Sequence, residues 1–475
     1  MKNNRKYFLL FFLLPVLWLG GCNKIGQEEV NPIDPAIEKD TDYMAKSYLR
    51  REYMNVYYYW YQDVITRNAE LQPQKYETIF DFFNALLYSG DHWSWMCDKD
   101  TYITTETGVY KGSWGVNWGQ AAADYNDYSI RVRFIYPGSP FEQFGVTRGA
   151  RLVAIGGKSI AEPFTQEKLA IFNEEIEKTS NSFTFQRVDG SEVSFTTSRA
   201  ISLSTRSSLI ATVFGPDDFP GLEEEVGYFM YLTYNINLIE DVKTAMKEFH
   251  DRGIKKLIVD LRYNGGGDVD AVTELISWLA PIPAQGSPYV NMVHNDKLAS
   301  LDKKIAIPEN KDALRLLSLY FILGKGSASA SEVTVNGLAP YMPGALYTVG
   351  KQSYGKPNGM YVLYYPGTDS DYKLYNAGNF SKLQYAFLPI CFYNKNSLGE
   401  AIPDEGLAPD NWCPDDLYHD FGPQEENIKD CLTHIATGAF PTHTKASTKA
   451  EAFSPGLLLQ TPEVADPSYG RFVAK

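Results

Sequence analysis

Three serines stand within five positions of "GKGSASASEVTVNG" (324–337), between an apolar run and a segment typical of a helix. The middle serine, Ser329, precedes Glu332 by three residues, which is the spacing of a helix capping box. Taken alone, this spacing favours a serine that caps a helix. A serine at a helix start also lies near exposed backbone N–H groups and the positive end of the helix, and both favour a nucleophile.

Two other segments carry groups that such a nucleophile needs. "VDLRYNGGGD" (259–268) has three successive glycines, whose backbone N–H groups can approach a substrate oxygen closely. "VGKQSYGKPNG" (349–359) supplies Lys351 and Lys356, and a desolvated lysine can replace histidine as a general base. No histidine lies in these segments, so a Ser-His-Asp triad has no obvious member. Singly, the glycines fit a plain turn and Lys356 fits a surface lysine.

The elements that must position these segments follow an alternating pattern from about residue 201. Apolar strand-like runs such as "IKKLIVDLR" and "LSLYFILG" alternate with amphipathic helical segments. This alternation predicts an α/β core with mainly parallel strands. Active sites of such sheets collect at the carboxyl ends of strands, where all three segments are placed by the pattern.

Residues 106–200 have a different texture. "YSIRVRFI" alternates like a strand, and "SFTFQRVDGSEVSFTT" is typical of a hairpin that turns at Asp189-Gly190. Between them, Thr165 is a plausible cap for an amphipathic helix. The ordered phrases in "PGSPFEQFGVTRGARLVAIGGKSI" resemble a PDZ domain.

The PDZ resemblance implies a groove in which an extended peptide adds to a sheet edge while backbone amides hold its carboxylate. The loop "KGSWGVNWG" (111–119) is the best candidate for holding that carboxylate. The predicted peptide-binding residues are Gly112, Trp114, Gly115 and Val116. The alternative is a unit that only spaces or docks the other domains.

The first 21 residues are typical of a signal peptide, with a basic start and an apolar run too short to span a bilayer. The run ends in "LGGC", which resembles a bacterial lipobox and implies cleavage before Cys22 and lipid on its sulfur. A plain secretory signal is the alternative. Residues 22–40 are predicted to be a tether and 41–105 a small helical domain whose aromatic residues pack in its core. The predicted location is the cell envelope, as a periplasmic or outer-membrane lipoprotein.

The amino-acid composition limits the classes of molecule that the protein can be expected to bind. The 475 residues are 44% hydrophobic and 21% charged, as in a globular protein, and the net charge of −14 argues against nucleic acid. The six histidines show no H-x-x-x-H spacing, so neither a metal site nor a cofactor is predicted. Four cysteines follow Cys22, and both disulfides and buried free thiols remain open for them.

Together and in this order, "DLRYNGGG", "GSASASE" and "VGKQSYGKP" resemble the motifs of the carboxy-terminal processing, or tail-specific, serine protease family. The lipobox and the phrases "NGLAPYM" and "YGKPNGM" resemble its lipoprotein members in Bacteroidetes-type bacteria. The resemblance implies Ser329 as nucleophile, Lys356 as base, and backbone N–H groups of Gly266 and Ala330 as the oxyanion hole. It also implies a ClpP/crotonase-like α/β core over 201–435, after the PDZ-like unit and before an irregular tail, 436–475.

Two departures from the family pattern concern the lysine. Some members carry an acid in the helix after the serine, where "NGLAPYMPG" has none, and others carry a Gln at the position of Met360. The group that orients Lys356 is therefore open, with Ser331 and Ser353 as candidates.

The leading hypothesis is a membrane-anchored serine endopeptidase that cleaves polypeptides near their C-termini by a Ser-Lys dyad. One alternative is a weak or inactive protease scaffold that binds peptide tails. Another is a glycan-handling lipoprotein, suggested only by the anchor and the 14% aromatic residues.

Overall fold

A computed structural model of the protein describes residues 41–121, 127–443 and 472–474, the last three as backbone only. The predicted signal peptide, Cys22 and the tether lie outside the described residues, so lipidation stays a prediction. Among the residues described, no helix combines the length and apolarity that crossing a membrane requires.

The first unit is built from short helices around aromatic side chains. Its helix α3 begins at a capping box between Thr78 and Asp81, and one face of that helix is buried. The tyrosine-rich segment before it serves packing, since Tyr53 and Tyr58 are buried in the same core as Phe83. The elements are α1 (Thr41–Tyr48), α2 (Tyr61–Thr66), α3 (Ile79–Leu86), β1 (Trp95–Asp98) and α4 (Lys99–Thr107).

The second unit is a small sheet with one helix. The helix α5 is capped by Thr165, whose hydroxyl accepts from the Lys168 amide, and the last hairpin turns at Asp189-Gly190. The elements are β2 (Val109–Ser113), β3 (Val116–Gly119), β4 (Arg131–Ile135), β5 (Arg151–Ile155), β6 (Lys158–Ser159), α5 (Gln166–Ile176), β7 (Ser180–Gln186), β8 (Glu192–Ser198) and β9 (Ala200–Ser204). The strand order of its sheet is β3-β4-β5-β7-β8. The first strand of the unit, β2, pairs with the last, β9, so the chain enters and leaves the unit side by side.

The rest of the described chain is a larger α/β unit. Its strands are β10 (Ser208–Phe214), β11 (Val226–Tyr231), β12 (Lys256–Asp260), β13 (Gly267–Asp268), β14 (Pro288–His294), β15 (Lys303–Ala306), β16 (Ser318–Leu323), β17 (Leu346–Gly350), β18 (Asn358–Tyr361), β19 (Leu363–Tyr365), β20 (Tyr385–Leu388), β21 (Ile390–Lys395), β22 (Asn411–Trp412) and β23 (Phe472–Ala474). Its helices are α6 (Glu240–Asp251), α7 (Val269–Leu279), α8 (Ala330–Leu338), α9 (Asp369–Asn376) and α10 (Glu426–Thr437).

The main sheet has the order β10-β11-β12-β16-β17-β22, and every pairing from β11 to β22 is parallel. Helices α6, α7 and α8 contribute to the core on one face, and α10 to the core on the other. Because both faces are covered, the strands read as continuous apolar runs in the sequence. The parallel register brings the carboxyl ends of β12, β16 and β17 side by side. The glycine, serine and lysine segments therefore leave the sheet at one edge.

A second sheet has the order β13-β23-β18-β21-β14-β15, and a third has β1-β20-β19. The chain's last strand, β23, lies parallel to both of its neighbours. The tail predicted as irregular thus holds the end of α10 and this strand among its described residues. Its composition gave no sign of a strand, because the partners are far away in the sequence.

Candidate active site

The three serines of the 324–337 segment have different hydrogen bonds. Ser327 Oγ donates to the Leu261 carbonyl at 2.8 Å, and Ser331 Oγ donates to the Asn264 carbonyl at 2.8 Å. Ser329 Oγ is buried and has no hydrogen-bond partner among the described residues. Two serines therefore anchor the loop to the chain after β12, whereas the hydroxyl of Ser329 makes no such anchoring bond.

The backbone of Ser329 is strained. Its φ is +58° and its ψ is −107°, and among the non-glycine residues described only Arg315 shares a positive φ. Such conformations cost about 1–3 kcal/mol and cluster at active sites. Ser329 directly precedes α8 and keeps the capping-box arrangement with Glu332 that the spacing predicts. The bond from the Ser329 amide to Glu332 is well formed, whereas Ser329 Oγ faces the Glu332 amide without a hydrogen bond of good geometry.

Glu332 is the link between the serine and lysine segments. Its Oε2 accepts from the backbone amides of Ser329 at 2.8 Å and Lys356 at 2.9 Å. Its Oε1 accepts from the Gly355 amide at 2.7 Å and from Ser353 Oγ at 2.5 Å. Because the same oxygen atom accepts from both amides, the backbones of Ser329 and Lys356 lie next to each other at this carboxylate. Burial raises the pKa of Glu332, and its four donors offset this only in part.

Lys356 is 1% exposed, in the loop between β17 and β18. The loop packs tightly on the "IPDEG" turn: a Cβ at Gly355 would collide with the Asp404 carbonyl, and one at Gly406 with the Ser353 carbonyl. The two hydroxyls considered for orienting the lysine donate elsewhere, Ser331 to Asn264 and Ser353 to Glu332. The group that orients the Lys356 amine remains open.

The predicted oxyanion-hole residues lie at the same edge of the sheet. Ala330 is the first residue of α8, so its N–H has no acceptor within the helix. The Gly266 N–H donates to Asn264 Oδ1 at 2.9 Å, and Asn264 in turn donates from Nδ2 to the Tyr231 carbonyl at 3.0 Å. Use of the Gly266 N–H by a substrate therefore requires the Asn264 side chain to give it up.

Sequence reasoning missed the roles of Asn264 and Glu332. The signals were present, because Asn264 directly precedes the glycines and Glu332 completes the S-x-x-E spacing. That spacing accounted for Glu332 as a local cap. Its contacts with residues 353–356 are not visible in a local pattern.

The predicted peptide-binding residues lie apart from this centre, in the second unit. The Trp114 side chain is 6% exposed and donates from Nε1 to the Ile176 carbonyl at 2.8 Å, so only its backbone can face a peptide. The Gly115 N–H donates to Ser113 Oγ at 3.0 Å. Gly112 has open space where a Cβ would be, and Val116 begins β3, which has one paired neighbour in the described chain. Peptide binding at these residues stays a prediction.

A buried cluster of ion pairs is centred on Arg262, which precedes the glycine segment in the sequence. Arg262 contacts Asp260 at 2.8 Å, Glu425 at 3.0 Å and Asp415 at 3.2 Å. Arg148 of the second unit reaches the same Asp415 at 2.9 Å. Burial opposes ionisation of Asp415, but the two guanidinium groups outweigh it and hold the pKa of that carboxyl well below its usual range. The cluster thereby joins the second unit to the residues that precede the glycines.

The four cysteines of the described chain are buried free thiols, namely Cys97, Cys391, Cys413 and Cys431. One of them, Cys413, has potential ligand atoms of Glu426 and His443 nearby, all within 4.8 Å of one another. However, burial raises the pKa of the Cys413 thiol, and His443 contacts Asp430 at 2.6 Å. The grouping therefore combines a buried thiol with a histidine that is already engaged, and we assign no metal to it.

Comparison with known proteins defines the class to which this fold and site belong. The family model described as peptidase family S41 matches residues 225–370, and the peptidase S41 N-terminal domain matches residues 51–95. The chain therefore contains S41 peptidase domains, and the resemblance to the carboxy-terminal processing proteases predicted from the motifs is confirmed.

Individual relatives of the chain have names that belong to the same class of protease. The chain is 29% identical over 244 residues to the carboxy-terminal processing protease CtpB of Bacillus subtilis, which covers 50% of this chain and 46% of that protein. It is 30% identical over 126 residues to a tail-specific protease of Haemophilus influenzae, covering 26% and 16%. These matches span less than half of either relative.

The fold has a counterpart among solved structures. A putative S41 protease from Bacteroides fragilis superimposes with a TM-score of 0.63 at 18% identity, covering 83% of this chain and 97% of that one. The mixed α/β S41 protease fold with a small N-terminal helical domain is thus confirmed. The predicted PDZ and ClpP/crotonase resemblances remain predictions.

Proposed function

We propose that the chain is a serine endopeptidase in which Ser329 is the nucleophile and Lys356 the general base. One observation carries the proposal: a single Glu332 oxygen accepts from the amides of both residues, while the buried Ser329 Oγ makes no well-formed hydrogen bond to the described residues. The neutral amine takes the serine proton as Oγ attacks a peptide carbonyl, and it then protonates the leaving amine. Water next attacks the acyl-enzyme, releasing the acid and restoring the serine.

The oxyanion of each tetrahedral intermediate would be stabilised by the Ala330 N–H and by an N–H of the glycine segment. The Ala330 N–H is fixed at the start of α8 before the reaction, which is the condition under which such groups lower a barrier most. The Gly266 N–H becomes available only when Asn264 releases it. The strained φ of Ser329 supports this arrangement, because it presents the hydroxyl at the start of α8 instead of along it.

The finer features belong to the same proposal. The second unit acts as a PDZ-like recogniser of substrate C-termini, supported by its strand order and by β3 at the end of its sheet. The chain is tethered to a membrane through lipid on Cys22, supported by the "LGGC" sequence alone.

The experiment compares cleavage of unfolded casein by the wild type, Ser329→Ala and Lys356→Ala. Each substitution is expected to lower kcat/KM by about 10³-fold or more, and wild-type activity should rise toward basic pH because the base must be neutral. The matched control is Ser331→Ala, which alters a neighbouring hydroxyl that is engaged with a carbonyl. Loss of cleavage in the Ser331 variant alone would contradict the assignment of the nucleophile.

The second candidate, a scaffold that binds peptide tails without cleaving them, has one observation in its favour. The Gly266 N–H is engaged with Asn264 instead of being open to a substrate. Equal peptide binding by all variants, with no cleavage by any of them, would support this alternative.

A further inference from the structure

The last strand of the chain fills a gap in the second sheet. Away from this gap, β13 is bridged to Tyr234, and β18 is paired with β21. Between them, β23 pairs Phe472 with Gly267 and Val473 with Met360. Neighbouring strands lie about 4.8 Å apart, so β13 and β18 face each other across roughly two such spacings. One extended polypeptide fits this space, and we name it the tail groove.

Both walls of the tail groove begin at a candidate catalytic segment. β13 starts directly after Gly266, and β18 starts two residues after Lys356. Both strands run away from the site, and β23 is parallel to both. Phe472 is therefore at the catalytic end of the groove and Ala474 at its far end. A polypeptide held this way directs its C-terminus outward, and the bonds nearest the site lie upstream of the held strand.

The groove holds its occupant through main-chain pairing, which is the basis of recognition by strand addition and tolerates many sequences. We propose that the tail groove binds the segment of a polypeptide substrate that follows the cleaved bond, and that the chain's own strand β23 occupies it as an intramolecular competitor. This inference rests on the proposed function, because it takes Ser329 as the nucleophile. It leaves the substrate C-terminus itself to the second unit, since the walls of the groove lead away from the catalytic residues.

An attached strand competes strongly because its effective concentration is of the order of millimolar. A substrate must displace it before binding, which raises the apparent KM and leaves kcat unchanged. Removing the strand should therefore act on KM alone.

The test compares the full chain with a chain that ends at Arg471, using a fluorogenic unstructured peptide as substrate. Deletion of residues 472–475 is expected to lower KM by about tenfold at constant kcat, a change consistent with removal of a millimolar competitor. The octapeptide SYGRFVAK, the sequence of residues 468–475, should then inhibit the shortened chain competitively. A fluorescein-labelled copy should bind the shortened chain and show little binding to the full chain.

Point variants separate docking from folding. Val473→Pro in the full chain removes a main-chain donor from β23 and should reproduce the lower KM. Val473→Ala, which keeps the main-chain donor, is the matched control and should leave KM unchanged. Unchanged KM and unchanged peptide binding after deletion would overturn the proposal. So would joint loss of kcat and thermal stability, which would make β23 a structural strand.

Peptide binding is also measured in the Ser329→Ala background, where no cleavage is expected. If no form of the chain cleaves but the shortened form binds the labelled octapeptide, the proposed function fails and the tail groove stands. If the wild type cleaves but no shortened form binds the octapeptide, the proposed function stands and the groove fails.

Discussion

Two buried carboxylate centres lie near the glycine segment, and they are held by different chemistry. Glu425 is surrounded by cations, since Arg262 contacts it directly and Arg148 lies 3.8 Å away. Glu332 accepts from three backbone amides and one hydroxyl. Both carboxyls are buried, yet the pKa of Glu425 is lowered because the guanidinium groups outweigh burial, whereas the pKa of Glu332 is raised because burial dominates.

This difference in bonding gives the two carboxylates different roles: the Arg262 cluster stabilises the fold, and Glu332 positions backbone groups of the candidate active site. A guanidinium cluster fixes the charge of its carboxylates, and removing one partner leaves uncompensated buried charge. An amide-held carboxylate fixes the positions of the backbone groups that donate to it. Two of the amides at Glu332 belong to Ser329 and Lys356, so we infer that Glu332 is a positioning residue. The Arg262 cluster acts on the site only through the fold.

The largest expected effect on stability comes from Arg262→Met. This change leaves Asp260 and Glu425 buried without their main cation, and breaking such a network costs about 3–5 kcal/mol. Urea denaturation at neutral pH measures the loss. A decrease below about 1 kcal/mol would show that the cluster is not a principal support.

Glu332→Gln should lower stability by about 1–3 kcal/mol, because the new amide group cannot accept from every backbone N–H that the carboxylate satisfies. It should also lower kcat by about 10–100-fold with little change in KM, as expected for a displaced nucleophile and base. The exposed Glu248→Gln on α6 is the matched control.

The same variant should also change the pH dependence of the free energy of unfolding. Because its folded pKa is raised, the folded chain binds this proton more tightly than the unfolded chain, whose value is near 4.5. Glu332 therefore costs stability as pH rises from about 4.5 toward its folded pKa. The Gln variant should lack that decline, and urea titrations across this range measure it. An unchanged decline in stability would rule out Glu332 as its source.

A smaller effect is expected for Ser331→Ala. The Asn264 carbonyl loses the serine hydroxyl but keeps the Ala328 amide at 3.2 Å, so the cost should be about 0.5–1.5 kcal/mol. Activity should stay within a few-fold of the wild type. Thermal unfolding and casein cleavage check both expectations.

The smallest effect on stability is expected for Ser329→Ala, within about 0.5 kcal/mol, because its hydroxyl makes no well-formed hydrogen bond within the described part of the chain. The positive φ and its strain persist in alanine. Calorimetry of this variant, which should be inactive, would thus separate catalysis from stability. A loss above 1 kcal/mol would mean that the hydroxyl has a structural contact.

Local sequence signals predicted the parts of the fold that depend on neighbouring residues. The buried runs of β12 and β16, the cap at Thr165 and the turn at Asp189-Gly190 all follow from short-range patterns. The order of these parallel strands also brings together the segments that the motifs singled out.

The remaining features depend on partners distant in the sequence. The second sheet joins short strands such as β14, β18 and β21 whose pairing no local pattern encodes. The double role of Glu332 and the engagement of Gly266 by Asn264 likewise depend on tertiary contacts. The strand β23 is the extreme case, because it is only three residues long within a tail rich in Ala, Thr, Ser and Pro, and its partners are distant in the sequence.

The pairing of β1 with β20 has a consequence for biosynthesis. Trp95 is opposite Leu388, and Phe83 stacks on Phe387 with ring centroids 6.2 Å apart. The first unit made by the ribosome thus cannot complete its aromatic core until residues 385–388 have been translated. We therefore expect a nascent chain shorter than this to expose part of its tyrosine and phenylalanine surface, which favours aggregation until the later strands are made.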